Sequence, residues 1–274
     1  MSLNLSALHQ QLACWVQFGE VPVSADTPHE VRENPYSVTA RRSSTKAGTR
    51  MVRAESLLEY DFYSILDFDF RIEKYKEQPL VIPWRTPDGQ YRRYTPDVLI
   101  KPKLACRDAY PHLAPTIYEI KPAQLVRDNF QDLLPKYRGV RRSLQGTLVP
   151  FKVMTERHLN PAFVANCKFL NQYSDKALQL HRASDAQLEM RKVIAKRAER
   201  LGVTTPKLLI EAISLDFHTK TLLIPWMWNL MVGGGPRALQ AHLIEPLTMD
   251  TEIWHWTVQR GDPKWLWREH DWYR

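Results

Sequence analysis

The chain of 274 residues is 44% hydrophobic and 11% aromatic, enough to bury a core and fill two domains, which excludes a fibre or a disordered chain. Its 38 Lys and Arg against 30 Asp and Glu leave a formal charge of +8 and a pI near 9.4, a balance that suits a polyanionic partner. Cys14, Cys106 and Cys167 stand far apart with no CxxC pair, which argues against a disulfide framework or a cysteine zinc site and leaves reduced cytosolic thiols as the expectation.

Residues 1–50 read as a loosely organised, basic N-terminal arm with no secretory signal at its start. Pro22, Pro28 and Pro35 interrupt it, and ARRSSTKAGTRMVR, 40 to 53, has five basic residues and no acidic one. Arg41, Arg42, Lys46 and Arg50 either stand in solvent or lie on phosphate. In AESLLEYDFYSILDFD, 54 to 69, Leu58, Phe62, Ile65 and Leu66 recur at the spacing of an amphipathic helix. The stretch from 71 to 121 reads as a hairpin feeding a third strand: RIEKYKEQPLVIPW, a TPDG turn, QYRRYTPDVLIK, a proline-rich loop and TIYEIKP. A helix follows from Leu125 to Leu144, kinked or divided by Pro135, then a strand at VPFKVMTE and a helix through HLNPAFVANCKFLNQY. Helices covering a small mixed sheet make residues 51–172 an α/β domain.

Residues 173–262 differ in character. AQLEMRKVIAKRAERLGVTTPKLLIEAI predicts a basic helix carrying Arg191, Lys192, Lys196 and Arg197, a stop at Gly202, and a second helix capped by Thr204 or Thr205 with Pro206 in its first turn. This is either a helix-turn-helix or a helical hairpin used only for packing, and with the strand-like LIEPLTMDTEIWHW behind it the former gives a winged-helix domain. The apolar run LLIPWMWNLMV, 222 to 232, is too short to span a bilayer, so no membrane is expected. Trp254 and Trp256 alternate as on a strand, with one of them packed inward. The tail at 263–274, with Trp265, Trp267 and Trp272, either docks on a partner or folds back on its own domain.

The tripeptide Thr-Pro-Asp occurs twice, and the two copies mean different things. Pro87-Asp88-Gly89 is turn chemistry, whereas Pro96-Asp97 leads into Val98, Leu99 and Ile100, placing the Asp97 carboxylate at the mouth of a buried strand. In TIYEIKP, Glu119 and Lys121 share one strand face, so two carboxylates and one ammonium can converge at a sheet edge. Metal-dependent phosphodiester hydrolysis needs oxygen ligands for Mg²⁺ and a cation beside the attacking water. A structural Glu119–Lys121 ion pair is the competing reading. A third acid is expected from the preceding helix, where Glu55 and Glu59 share a face and Glu59 interrupts the apolar stripe more directly. Asp61, Asp67 and Asp69 read as solvated or capping residues.

LLEYDFYSILDFD, KEQP, YTPDVLI and YEIKP, in this order and spacing, resemble the N-terminal domain of the TnsA family across roughly residues 35 to 170. These are endonuclease subunits of heteromeric cut-and-paste transposases with a type II restriction-endonuclease (PD-(D/E)xK) fold. The resemblance implies catalytic roles for Glu59, Asp97, Glu119 and Lys121, with Glu59, Asp97, Glu119 and the Ile120 carbonyl holding one or two Mg²⁺ ions that Mn²⁺ can replace. It further implies double-stranded transposon-end DNA, a DDE-type (TnsB-like) transposase and an AAA+ (TnsC-like) ATPase as partners, in a bacterial cytoplasm at the nucleoid, with targeting sometimes left to an RNA-guided complex. The alternatives are an autonomous restriction or repair nuclease of the same fold and a non-catalytic DNA-binding adaptor.

Overall fold

The computed structural model describes residues 5–20, 40–47, 51–106, 108–110, 113–175, 177–232, 239–258 and 260. They fall into two compact units, one built from the residues up to Tyr60 together with Arg71–His158, the other from Asp61–Phe70 and the residues from Leu159 on.

The first unit opens with a helix, α1 (Leu5–Phe18), where a loose arm was expected. Leu8, Leu12 and Trp15 are spaced to share one helical face and are buried, and the Trp15 indole N–H donates to the Ile100 carbonyl at 3.2 Å. Strands β1 (Ala40–Ser43) and β2 (Met51–Ala54) likewise stand where the arm was expected to run on, paired antiparallel, and Lys46 accepts the Tyr75 N–H through its carbonyl at 2.9 Å. The expected amphipathic helix is α2 (Leu57–Phe68), whose first turn belongs to this unit.

Strands β3 (Ile72–Glu77), β4 (Ile82–Arg85), β5 (Tyr91–Tyr94), β6 (Val98–Pro102), β7 (Thr116–Ile120) and β8 (Phe151–Met154) follow. The TPDG segment turns between β4 and β5 with Gly89 at φ 86°, and these two strands form their own sheet. QYRRYTPDVLIK is two strands, because Pro96 has no N–H for a ladder and the chain changes sheet at that point. The central sheet has the order β3-β6-β7-β8, antiparallel except for the parallel β7–β8 pair. Every residue of β6 and β7 is buried. The connection from β7 to β8 carries α3 (Ala123–Asp128) and α4 (Phe130–Ser143). The helix divides at Asn129 and not at Pro135, which α4 keeps inside its length while Gln131, one turn earlier, lies exposed. α4 lies close against β4, since a Cβ built on Gly139 would come 2.6 Å from the Trp84 ring.

The second unit holds the rest of α2, then α5 (Pro161–Asn171), α6 (Asp185–Leu201), β9 (Val203–Thr204), α7 (Pro206–Glu211), α8 (Phe217–Asn229), β10 (Leu239–Ala241) and β11 (Ile253–His255). The contact boundary therefore falls after His158, ahead of the helix the sequence assigned to the catalytic domain. Ile65, Phe68, Phe163, Leu170, Ile194, Leu209 and Met227 share its core. Gly202 at φ 67° ends α6, and the Thr205 hydroxyl caps α7 by accepting the Leu208 N–H at 3.2 Å. The connection between these helices contains β9, which pairs with β11 in an antiparallel sheet of order β10-β11-β9. Of LIEPLTMDTEIWHW only Ile253–His255 is a strand; the segment before it is fastened by buried Asn166, whose amide donates to the Leu243 and Glu245 carbonyls at 2.8 and 2.7 Å. Trp254 is fully buried and Trp256 is 53% exposed. Asp69 is buried and Asp61 pairs with Lys168, so neither is a solvated acid. No helix among the described residues is long and apolar enough to cross a membrane.

Leu12→Ala empties a fully buried site of the first unit and is expected to cost about 2–5 kcal/mol in denaturant unfolding. A second expectation concerns pH. Burial holds the Lys152 ammonium down at about 8, below its value of about 10.4 in an unfolded chain. Between these values the unfolded chain binds more protons, so stability rises with pH across that window, and Lys152→Met flattens the rise in unfolding curves taken from pH 7 to 10.5.

Candidate active site at one edge of the central sheet

Antiparallel pairing of β6 with β7 places the start of one strand beside the end of the other, and this brings Asp97 next to Glu119 and Ile120. The Ile120 N–H donates to the Asp97 carboxylate, and Lys121, just past β7, is held to β8 by its own N–H on the Met154 carbonyl at 2.9 Å. Glu119 and Lys121 form the ion pair that i and i+2 spacing allows, 3.0 Å from Nζ to Oε1.

Glu119, only 2% exposed, has two further partners. The Lys136 ammonium on α4 lies 3.3 Å from Oε1, and the Tyr94 hydroxyl at the end of β5 donates to Oε2. Lys136 also sits over the Tyr94 and Tyr137 rings, 4.7 and 4.9 Å from their centroids, and both rings pack on Phe151. Sequence reasoning missed Tyr94 and Lys136.

Glu59 lies in the first turn of α2. Its carboxylate accepts the Glu55 N–H and the Ser56 hydroxyl, both at 2.9 Å, while its own N–H donates to Ser56 Oγ at 3.2 Å, so it also closes the helix N-terminus. Glu55 is exposed and accepts from the Gln78 amide at 2.9 Å. Of the two acids, it is Glu59 whose charge is felt by Asp97 and Lys121. Glu77, in the KEQP motif, adds another acid: it accepts the Arg53 N–H at 2.7 Å, and burial raises its carboxyl with help from Glu59 and Glu55.

Burial dominates the electrostatics, with crowding of the acids second. Burial, and then repulsion from Glu119 and Glu59, push the Asp97 carboxyl up to about 8 against the Ile120 N–H and the Lys121 ammonium. Burial likewise raises Glu59. Burial opposes the charge on Lys121, but attraction from Glu119, Asp97 and Glu59 outweighs it and the ammonium ends above its ordinary value. Burial and the Glu119 charge raise the Tyr94 and Tyr137 phenols, which stay protonated and able to donate. Among the described residues no three His, Cys, Asp or Glu side chains stand within reach of one metal ion.

The remaining candidates lie elsewhere. Arg41 and Arg42 are on β1, with Arg42 over the Tyr60 ring at 5.3 Å, and Lys46 follows that strand. Arg191, Lys192, Lys196 and Arg197 are on α6 of the other unit, where Lys192 and Lys196 are exposed and Lys192 pairs with Glu189. Arg50, Trp265, Trp267 and Trp272 lie outside the described residues.

Against known families, residues 69–156 match the model described as TnsA-like endonuclease N terminal. This segment is similar to the N-terminal domain of TnsA-like endonucleases. The match takes in β3 to β8 and with them Tyr94, Asp97, Glu119, Lys121 and Lys136. Glu59 and all residues from Leu159 on fall outside the matched segment. A search of curated proteins gave no match.

Tyr94→Phe removes a buried donor from Glu119 and is expected to destabilise the TnsA-like domain by about 1–3 kcal/mol in denaturant unfolding.

Proposed function

We propose that this chain is a Mg²⁺-dependent DNA endonuclease subunit of a heteromeric transposase, cutting at the 5′ ends of a mobile element. The observation that carries the reading is the meeting of Asp97, Glu119 and Lys121 at one sheet edge inside the TnsA-like match. The donor chemistry fits a hard cation: the acids are all oxygen donors, and Asp97 is buried beside the Glu119 and Glu59 charges, where a cation would offset their repulsion. Glu59, Asp97 and Glu119, with the Ile120 carbonyl, would hold Mg²⁺, or Mn²⁺ in its place. When bound, the ion supplies a polarised phosphoryl oxygen and a more acidic water.

The chain's own groups do the positioning. Lys121, held 3.0 Å from Glu119, orients the attacking water or offsets charge on the phosphate. Tyr94 and Lys136 fix the Glu119 carboxylate, the phenol on Oε2 and the ammonium on Oε1. Arg41, Arg42, Lys46, Arg50 and the basic face of α6 are proposed phosphate contacts. The C-terminal unit, with α6, α7 and a small antiparallel sheet, is proposed as a winged-helix module, and Trp265, Trp267 and Trp272 as a docking tail for an AAA+ regulator. A DDE-type transposase would make the complementary 3′ cuts.

A second reading has one observation in its favour. Glu119 is already engaged by Tyr94, Lys121 and Lys136, and no three acids share a metal-sized space among the described residues, which suits a structural site in a DNA-binding adaptor. Strand-by-strand mapping of nicks on a plasmid with transposon ends separates the two. With cognate transposase, ATPase and Mg²⁺, the wild type is expected to cut the 5′ ends and Asp97→Ala to lose at least about 10³-fold in rate while remaining folded, its melt lowered only as far as the lost Ile120 N–H partner requires. Equal silence of both proteins at the 5′ ends, with the 3′ cuts still made, establishes the adaptor.

A further inference from the structure

A cleft of about 540 Å³ opens beside the catalytic edge, lined by Ala123, Val126, Arg127, Asp128, Phe130, Gln131, Thr155 and Arg157. Its two walls grow from the strands that carry the site. Because β7 and β8 are parallel, their carboxyl ends leave the sheet on the same side, with Lys121 leading into α3 and Met154 leading into Thr155 and Arg157. The Lys121 N–H bond to Met154 and an Ala123 N–H bond to the Glu156 carboxylate at 2.8 Å fix the walls together. Open sheets take ligands at the carboxyl ends of parallel strands.

The lining has a particular chemistry. Arg127 and Arg157 are exposed, and Gln131 adds an exposed amide. Phe130 presents a ring that is 47% exposed at the head of α4, a position that no core requires. Asp128 is the one acid of the lining, and the Gln124 amide occupies both its oxygens at 2.9 Å. Two guanidinium groups, an amide and an uncovered aromatic suit a nucleic-acid strand, whose phosphates take the arginines and whose base takes the ring. Ala123 is buried and Val126 half-buried, so Phe130 is the large apolar side chain that the lining exposes, a narrower patch than a protein partner would need.

We infer that this cleft seats the DNA strand immediately flanking the scissile phosphate, with Arg127 and Arg157 on successive phosphates and Phe130 stacked on a base. The inference deepens the nuclease reading and rests on it for the meaning of the neighbouring edge. The cleft extends the active site beyond Lys121, and the strand held there is positioned before it is cut.

The test measures binding and cleavage separately. The full chain carrying Asp97→Ala is titrated onto a fluorescein-labelled duplex with a frayed single-stranded end, between 50 and 200 mM salt. Adding Arg127→Gln with Arg157→Gln is expected to weaken binding about tenfold or more and to reduce the slope of log Kd on log salt by about two, one ion per phosphate contact. Adding Phe130→Ala instead is expected to weaken binding about fivefold or more with the slope unchanged, because stacking releases no ions. All three side chains are exposed, and unchanged thermal melts establish that the variants fold. Affinity and slope equal to the parent's overturn the inference. If the arginine variant binds DNA normally but, with Asp97 restored, no longer supports cutting beside its partner proteins, the cleft takes protein and the inference is again overturned. Failure of the nuclease reading appears elsewhere, as cutting indifferent to Asp97.

Discussion

The hydrogen bond from the Ile120 N–H to the Asp97 carboxylate joins the fold to its site. Pro96 stops the ladder just before β6, and an acid placed there meets the free N–H at the end of β7 because the strands run antiparallel. The same bond brings Asp97 beside Glu119, and burial at this edge makes their charges count. Two acids in a low-dielectric corner repel each other, and the surrounding cations and phenol are arranged around that repulsion. Lys121 and Lys136 converge on one oxygen of Glu119 and the Tyr94 hydroxyl on the other. The corner is thus held tightly by groups of both charges.

Its parts were unequally legible in the sequence. Asp97 stood out because Thr-Pro-Asp occurs twice and only one copy precedes apolar residues; the structure makes one a turn with Gly89 at positive φ and the other the mouth of β6. Glu119 and Lys121 followed from strand alternation, and their ion pair is present. Tyr94 and Lys136 carried no such signal. They reach Glu119 from 25 and 17 residues away, across a sheet change and a helix, and nothing local distinguishes them from an ordinary strand tyrosine or a solvated helix lysine. Glu77, inside KEQP, has no local feature that sets it apart from a solvated strand acid.

The fold shows a similar division. α2 and the hairpin turn were readable from periodicity and turn chemistry. The helix at Leu5–Phe18 was missed although Leu8, Leu12 and Trp15 show the required spacing, because prolines further on gave the whole segment the look of an arm. The helix division at Asn129 was misplaced to Pro135, since a proline after the first turn can be tolerated where the carbonyl it abandons is on an exposed turn. In the C-terminal unit, the cap at Thr205 and the stop at Gly202 were local and legible. The pairing of β9 with β11 spans some fifty residues and was not.

Gly139 has a consequence of a different kind. With 2.6 Å between its would-be Cβ and the Trp84 ring, the face of α4 that meets β4 admits hydrogen and nothing larger. That fit fixes how far the helix is rotated and advanced, and Lys136 lies three residues earlier on the same helix, its ammonium within 3.3 Å of Glu119. The placement of a charge beside Glu119 is therefore set by a residue with no side chain and no chemistry of its own. Loss of function from a substitution there would look, in any catalogue of reactive groups, like an effect without a cause.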